Sequence, residues 1–330
     1  MTQTHIVQES ASFRDPDGFV FQYRNAWYRF VDESYQEHYD HLIHSGLYER
    51  LIQERLLLPH QEISEEAFSF SKPCYKILKP SQLEFVSYPY EWCFSQLKEA
   101  GIATLKIQKI AHQFGMCLKD ASAFNIQFYQ GNPTLIDTLS FHRCTKNTPW
   151  IAMGQFYRHF LWPLLAMANI DVTLNKQFLL YPDGFKHETL KPWFGIKTWF
   201  KPSILLHVHL HGIFAKKAAI KQATKKDFQL PETYLPILLD RIISLIEKLT
   251  LKQQSVWKDY YHNTNYEPRS FKEKELHVVN FIQQNRGKAL IDFGANNGHF
   301  SILALKTCAP IFALDFDALA LEALFTHLNV

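Results

Sequence analysis

The chain has 330 residues, of which 47% are apolar and 20% charged, and its formal net charge is +3. This length allows two domains that each bury a core, whereas the small net charge does not indicate a nucleic-acid partner. The longest apolar stretch, residues 151–170, is interrupted by Arg158 and His159, so it does not predict a membrane span.

Cysteine usage indicates the compartment. The five cysteines are widely spaced and contain no C-x-x-C pair: Cys74, Cys93, Cys117, Cys144 and Cys308. This pattern favours free thiols over a disulfide framework or a zinc site. The first ten residues show no charged segment followed by an apolar one, as a secretory signal would. The sequence therefore predicts a cytoplasmic protein with free thiols and no membrane association.

The first part of the chain alternates between strand and helix patterns. In chain order, the predicted elements are a hairpin of residues 19–21 and 27–31, a helix from Asp32 or Ser34 to about Leu58, strands at 75–78 and 83–86, and a helix at 92–114. Pro59 ends the first helix because proline cannot continue it. A small sheet followed by a long helix is expected.

A pattern with chemical meaning follows this long helix. Asp120 and Asn125 have the spacing D-x-x-x-x-N, and one predicted hairpin later the chain reaches Asp137 at a strand end. This order resembles protein kinases and aminoglycoside phosphotransferases. The resemblance implies that Asp120 orients a hydroxyl nucleophile. It also implies that Asn125 and Asp137 hold magnesium ions on ATP.

The same region departs from those families in several ways. Lys119 follows a leucine where they have His-Arg or His-Gly, and no glycine follows Asp137. No Gly-rich phosphate loop precedes the first hairpin, and Arg29 is only a candidate for the phosphate-holding lysine. Alternatively, Asp120 and Asn125 only fix a turn through side-chain-to-backbone hydrogen bonds. We expect Asp120, Asn125 and Asp137 to converge but to transfer no phosphate.

The C-terminal part predicts a strand, a turn, a helix and a second strand. Within residues 289–300 an apolar run reaches Asp292, passes Gly294 and Gly298, and enters a helical pattern. Seventeen residues after Gly298, a second apolar run ends on Asp315. An acid at this position is placed to accept hydrogen bonds from both hydroxyls of a ribose. Both runs have the composition of strands that are buried on both faces.

The spacing Asp292-x-Gly294-x-Asn296-x-Gly298, followed by Asp315, resembles the first two motifs of class I S-adenosylmethionine-dependent methyltransferases. The resemblance implies a Rossmann-like fold, S-adenosyl-L-methionine as cofactor, and cofactor contacts from these five residues. A dinucleotide site is the alternative, but the G-x-G-x-x-G triplet that it requires is missing.

Residues 118–128 and 136–141 are also similar to motifs of a nodulation-type bacterial methyltransferase family. We therefore expect an α+β kinase-like domain at about 1–215, with its small lobe to about 88 and its large lobe from about 89. A helical connector at about 216–255 contains a predicted amphipathic helix. The first part of an α/β Rossmann-like methyltransferase fold is expected from about 256 to 330.

This organisation implies S-adenosylmethionine-dependent methyl transfer to an unidentified acceptor, and a small-molecule methyl donor as partner. Because a complete fold of this class has about seven strands, we expect the chain to be a fragment whose own activity is in doubt. The alternatives are phosphotransfer, with Mg²⁺ and a nucleotide in the front domain, or a non-catalytic, pseudokinase-type binding domain. The oligomeric state stays open.

Overall fold

A computed structural model describes residues 6–10, 12, 15–64, 68, 70, 72–144, 147–210, 231–253, 267–285, 287, 289–306 and 310–328. These residues form a mixed α/β protein that contains one five-stranded sheet and three two-stranded sheets. Among them, no helix combines the length and the apolar character needed to cross a membrane.

The five-stranded sheet is antiparallel and has the order β1-β2-β3-β5-β4. Its strands are β1 (Val7–Gln8), β2 (Gly18–Tyr23), β3 (Ala26–Val31), β4 (His60–Ile63) and β5 (Lys76–Pro80). The β2–β3 hairpin is confirmed, with Phe21 opposite Tyr28. Its two turn residues, Arg24 and Asn25, have positive φ, as a tight hairpin turn requires.

Two predictions for this layer are wrong. Residues 83–86 form no strand, and His60–Ile63 pairs with β5 instead. The single helix predicted to end near Leu58 is two helices, α1 (Gln36–His44) and α2 (Leu47–Gln53). The break lies at Gly46, whose φ is 84°. A left-handed residue costs any side chain with a Cβ about 1–2 kcal/mol, so the chain turns where it has a glycine.

Helix α3 (Phe94–Gln113) is the centre of the main hydrophobic core. A Cβ on Gly101 would lie 3.3 Å from the Phe160 Cβ, so this glycine allows close helix packing. Four short strands follow α3: β6 (Met116–Leu118), β7 (Ile126–Tyr129), β8 (Asn132–Leu135) and β9 (Phe141–Arg143). β6 pairs with β9 and β7 with β8, both antiparallel.

Between β9 and the C-terminal unit, the residues that the structure describes are mostly helical. The helices there are α4 (Met153–Phe156), α5 (Trp162–Asn169), α6 (His187–Leu190), α7 (Pro202–Ile204) and α8 (Tyr234–Glu247), with π-helical turns at Tyr157–Leu161 and Leu205–His209. Single 3₁₀ segments lie at Glu33–Tyr35, Ala123–Asn125, Thr138–Ser140, Val172–Leu179, Lys191–Trp193 and Ile196–Phe200. Helix α8 confirms the predicted amphipathic helix, and it buries its stripe against α3.

The C-terminal unit begins at α9 (Pro268–Gln284). It continues through β10 (Leu290–Phe293), α10 (His299–Ala304), β11 (Ile311–Leu314) and α11 (Ala318–Leu328). β10 and β11 pair in parallel, so the predicted order of elements is confirmed. Both strands have the composition of strands buried on both faces, but the described part of the chain leaves β10 partly uncovered, with Ile291 51% and Phe293 79% exposed. Exposed apolar faces are expected where few helices cover such a pair of strands.

The two units touch at the start of α3. Ser95 donates its backbone N–H and its hydroxyl to the Glu322 carboxylate of α11, at 2.8 and 2.5 Å. The ring centroids of Phe85 and Phe312 lie 4.7 Å apart. Beside this contact, residues 82–92 and residues 310–315 of the C-terminal unit line a cavity of about 740 Å³.

One thiol prediction is also wrong. Cys117 and Cys144 form a disulfide, with their Cα atoms 5.9 Å apart. The antiparallel pairing of β6 with β9 brings these cysteines together across 27 residues of sequence. Nothing in the cysteine spacing indicates that pairing. Cys93 is a free thiol, Cys74 takes no part in this bond, and Cys308 lies outside the described residues.

Candidate functional site

The Gly-containing turn after β10 is held against the end of β11. Gly294 and Asn296 have φ of 75° and 51°. The backbone N–H groups of Gly294 and Ala295 both donate to the Leu314 carbonyl, at 2.8 and 3.0 Å. Parallel pairing of the two strands therefore places the turn beside the residue that follows β11.

That residue is Asp315, and its carboxylate is part of the turn. One oxygen accepts a hydrogen bond from the Asn296 backbone N–H at 2.7 Å, and the other accepts from the Asp317 N–H at 2.8 Å. The structure thus brings together Asp315 and the Gly294–Gly298 turn. An ionised carboxylate has about four acceptor positions, so Asp315 keeps capacity for two hydroxyl donors.

The two glycines of the turn have different surroundings. A Cβ on Gly294 would meet nothing within 4 Å. A Cβ on Gly298 would lie 2.3 Å from the Leu324 side chain of α11. Gly294 therefore leaves open space that a ligand can enter, whereas Gly298 permits the close approach of α11.

Asp292 and Asn297 complete the turn. The Asp292 carboxylate accepts a hydrogen bond from the Ser301 hydroxyl at 2.6 Å, which ties β10 to α10. Asn297 was not among the predicted residues, yet its side-chain oxygen is buried and has no hydrogen-bond partner in the described part of the chain. A buried acceptor without a partner is costly, so Asn297 is a further candidate ligand contact. It occupies a variable position of the motif, and no sequence signal marks it.

In the front domain, the backbone brings the predicted kinase-like segments together. The Ile136 N–H donates to the Asn125 carbonyl at 2.9 Å, at one end of the β7–β8 hairpin. The Lys119 N–H donates to the Ser140 carbonyl at 2.8 Å, where β6 meets β9. The segments that carry Asp120, Asn125 and Asp137 are therefore neighbours.

Asp120 has structural partners. Its Oδ1 accepts from the Ser122 N–H at 2.9 Å and from the Gln155 amide at 2.8 Å. These contacts are those expected of a residue that fixes a turn. His159 also stabilises this turn, because its Nδ1 accepts a hydrogen bond from the Ala123 backbone N–H at 3.3 Å. Burial lowers the pKa of His159 to about 4.

Five charged side chains meet where the first sheet contacts the segments after α3. This junction cluster consists of Asp15, Asp17, Arg29, Lys119 and Asp137. Arg29 of β3 forms ion pairs with Asp15 and, at 3.2 Å, with Asp137. Lys119 forms ion pairs with Asp17 and, at 3.5 Å, with Asp15. Sequence reasoning named Arg29 as a candidate cation but missed Asp15 and Asp17.

The junction cluster has an uneven charge balance. Its three carboxylates and two cations give a formal charge of minus one when all are ionised. Burial raises the pKa of Asp15, and the nearby Asp137 charge adds to this, while Arg29 and Lys119 oppose it. No group of three or more His, Cys, Asp and Glu side chains in the described ranges is arranged to hold a metal ion.

Comparison with known proteins gives one informative relative. No protein-family model matches the chain. The chain is 28% identical over 324 residues to nodulation protein NoeA of Rhizobium meliloti (strain 1021), and the match covers 96% of this chain and 68% of the relative. The similarity spans both the front domain and the C-terminal unit, which supports the expected nodulation-type family. The name of the relative specifies no reaction.

Proposed function

We propose that the C-terminal unit binds S-adenosyl-L-methionine and that the protein belongs to a methyl-transfer system. The observation that supports this most directly is the hydrogen bond from the Asn296 N–H to Asp315 at 2.7 Å. It places an acid that follows one parallel strand against the glycine turn that follows the neighbouring strand. A nucleoside-containing cofactor binds to such a pair of segments. The acid accepts hydrogen bonds from the ribose hydroxyls, and the backbone of the glycine turn lies beside the cofactor.

The residues present fit this cofactor. Asp315 retains acceptor capacity for the ribose hydroxyls, and Gly294 leaves free space beside the turn. Asn297 offers a buried oxygen without a partner, which suits a donor such as an ammonium group. When bound, the cofactor supplies a sulfonium methyl group as electrophile. The chain itself would hold and orient the donor and keep water from it.

Titration calorimetry with S-adenosylhomocysteine tests the proposal on the 330-residue chain. We expect binding by the wild type and a loss of about 2 kcal/mol, roughly thirtyfold in Kd, for Asp315→Ala, because two hydroxyls lose a charged acceptor. Glu273→Gln removes an exposed carboxylate from the same unit and is the matched control. NAD serves as a competitor. Absence of binding by the wild type, or tighter binding of NAD, would contradict the proposal.

A second candidate function concerns the front domain. Arg29 lies on β3 and is ion-paired with Asp137, as expected if a cation of the small sheet faces the acid of a kinase-like site. The contacts of Asp120 with Ser122 and Gln155 favour a binding domain over phosphotransfer. An ATP-turnover assay with magnesium or manganese tests this candidate. Turnover that Asp137→Ala abolishes would restore the phosphotransferase alternative.

A further inference from the structure

A short segment between α6 and α7 holds large apolar side chains in solvent. It is the 3₁₀ segment Ile196–Phe200, five residues long, in which Ile196 is 82%, Trp199 45% and Phe200 86% exposed. We call these three side chains the apolar tip. Apolar side chains scattered singly over a surface are ordinary, but several that lie together indicate a contact with another surface.

The apolar tip is fixed to the body of the protein. On either side of it, Phe194 and Ile204 are buried in the main hydrophobic core, at 5% and 0% exposed. The Thr198 hydroxyl lies within hydrogen-bond distance of the His209 Nε2, at 2.9 Å. The Trp199 ring stacks on the His209 ring, with centroids 4.4 Å apart and planes 12° from parallel. The exposed side chains are therefore presented by a supported backbone.

Lysines accompany the apolar tip. Lys197 lies within it and Lys201 directly follows it, and both are exposed. The sequence from Lys186 to Asp227 contains nine lysines and two acids, whereas the net charge of the whole chain is only +3. Residues 211–227 lie outside the described residues and enter this count by their charge alone. The positive charge of the chain is thus concentrated in the sequence around the tip, and the remainder is net negative.

We propose that the apolar tip docks the protein on the surface of an anionic phospholipid membrane. Tryptophan and other large apolar side chains suit the boundary between headgroups and acyl chains, and lysines attract the negative headgroups. The cores of protein–protein interfaces are depleted in lysine, so Lys197 in the middle of the tip favours lipid over a protein partner.

Surface docking needs no membrane-spanning helix. It is therefore compatible with the finding that none of the described helices could cross a membrane. It corrects the expectation of no membrane association, which was drawn from the absence of a predicted span and of a secretory signal. The proposal is independent of methyl-donor binding, because it uses no residue of the C-terminal unit.

Co-sedimentation of the 330-residue chain with vesicles tests the proposal. We expect binding to phosphatidylcholine vesicles that contain about 25% phosphatidylserine and much weaker binding to phosphatidylcholine alone. Lys197→Gln/Lys201→Gln should weaken binding about 25-fold, since a lysine near an anionic surface contributes about fivefold. Ile196→Ser/Phe200→Ser should weaken it at least about tenfold, because less apolar area leaves water. Circular dichroism confirms that each variant is folded.

Two controls are matched to these variants. Leu276→Ser/Phe281→Ser replaces side chains of α9 that are 63% and 66% exposed, and Lys248→Gln/Lys252→Gln removes the same charge from exposed positions. Both should bind like the wild type. No binding to anionic vesicles, or equal losses in the tip variants and the controls, would overturn the proposal. A dimer in sedimentation velocity that Phe200→Ser disperses would assign the tip to a second copy of the chain instead.

Discussion

The two glycines of the turn after β10 have different structural roles, although the residue type is the same. Gly294 and Gly298 are equivalent in the motif and have nearly equal φ, of 75° and 78°. Only the surroundings separate them, since one faces open space and the other faces Leu324. The sequence therefore marks both glycines as part of the turn but does not indicate which one faces open space and which one permits close packing.

This difference gives a prediction for stability. Gly294→Ala should lower the free energy of unfolding by about 1–2 kcal/mol, the cost of a Cβ at positive φ. Gly298→Ala should cost more, because its Cβ would also collide with Leu324. Thermal unfolding of the two variants measures this. Adding Leu324→Ala should recover part of the loss for Gly298→Ala and none for Gly294→Ala; equal stability of the two single variants would contradict the assignment.

A second prediction concerns pH and His159. Its pKa in the folded chain is about 4, below the unfolded value of about 6.5. Between these two pH values the unfolded chain binds a proton that the folded chain does not bind. The contribution of His159 to the free energy of unfolding is therefore complete above about pH 6.5 and falls as the pH decreases. Between pH 7.5 and 5.0 the loss from this group should be about 2 kcal/mol.

Urea unfolding at the two pH values measures this loss. His159→Gln keeps an acceptor for the Ala123 N–H but does not titrate, so its stability should depend less steeply on pH. His60, whose pKa is also lowered to about 4 by burial, leaves a residual slope in that variant. The same slope in the wild type and in His159→Gln would show that His159 is not held neutral.

The helices and strands that are determined by neighbouring residues in the sequence could be predicted. Those that depend on pairing with residues far away in the sequence could not. The β2–β3 hairpin and the order β10, turn, α10, β11 follow from neighbouring residues, through alternation, turn residues and apolar runs. Strand β4 was missed because His60–Ile63 has a polar pattern and is defined by its pairing with β5. The junction cluster joins Lys119 to Asp17 across 102 residues, and no local pattern records such a contact.

The β6–β9 pair yields a third prediction because its disulfide closes a loop. The bond between Cys117 and Cys144 encloses 27 residues, and cross-linking a loop of that size stabilises a fold by roughly 3–4 kcal/mol through the unfolded state. Cys144→Ser should lower stability by about this amount, and reducing agent should then have no further effect. Cys74→Ser, which removes a cysteine that is not part of this bond, is the control. Thiol titration of the unfolded, unreduced protein that finds every cysteine free would contradict the bond.

At the scale of the whole molecule, the Glu322 side chain forms a polar contact between the two units. The Glu322 carboxylate accepts two hydrogen bonds from Ser95 in the first turn of α3, where a negative charge also interacts favourably with the helix dipole. Glu322→Ala should therefore cost about 1–3 kcal/mol and loosen both α11 and the start of α3. Hydrogen exchange should become faster in peptides that cover both regions.

Glu273→Ala, which removes an exposed carboxylate from α9, should leave exchange in α3 unchanged. Faster exchange in α11 alone would show that α3 does not depend on the C-terminal unit.

The Ser95–Glu322 contact also has a consequence for synthesis of the chain on the ribosome. The two residues are 227 positions apart. At 5–20 residues per second, the start of α3 waits roughly 10–45 s for its acceptor to be made. The central helix of the front part therefore emerges with two donors at Ser95 whose acceptor in the folded chain, Glu322 of α11, is made later. A nascent chain that stops before α11 would present that helix end to solvent or to a chaperone.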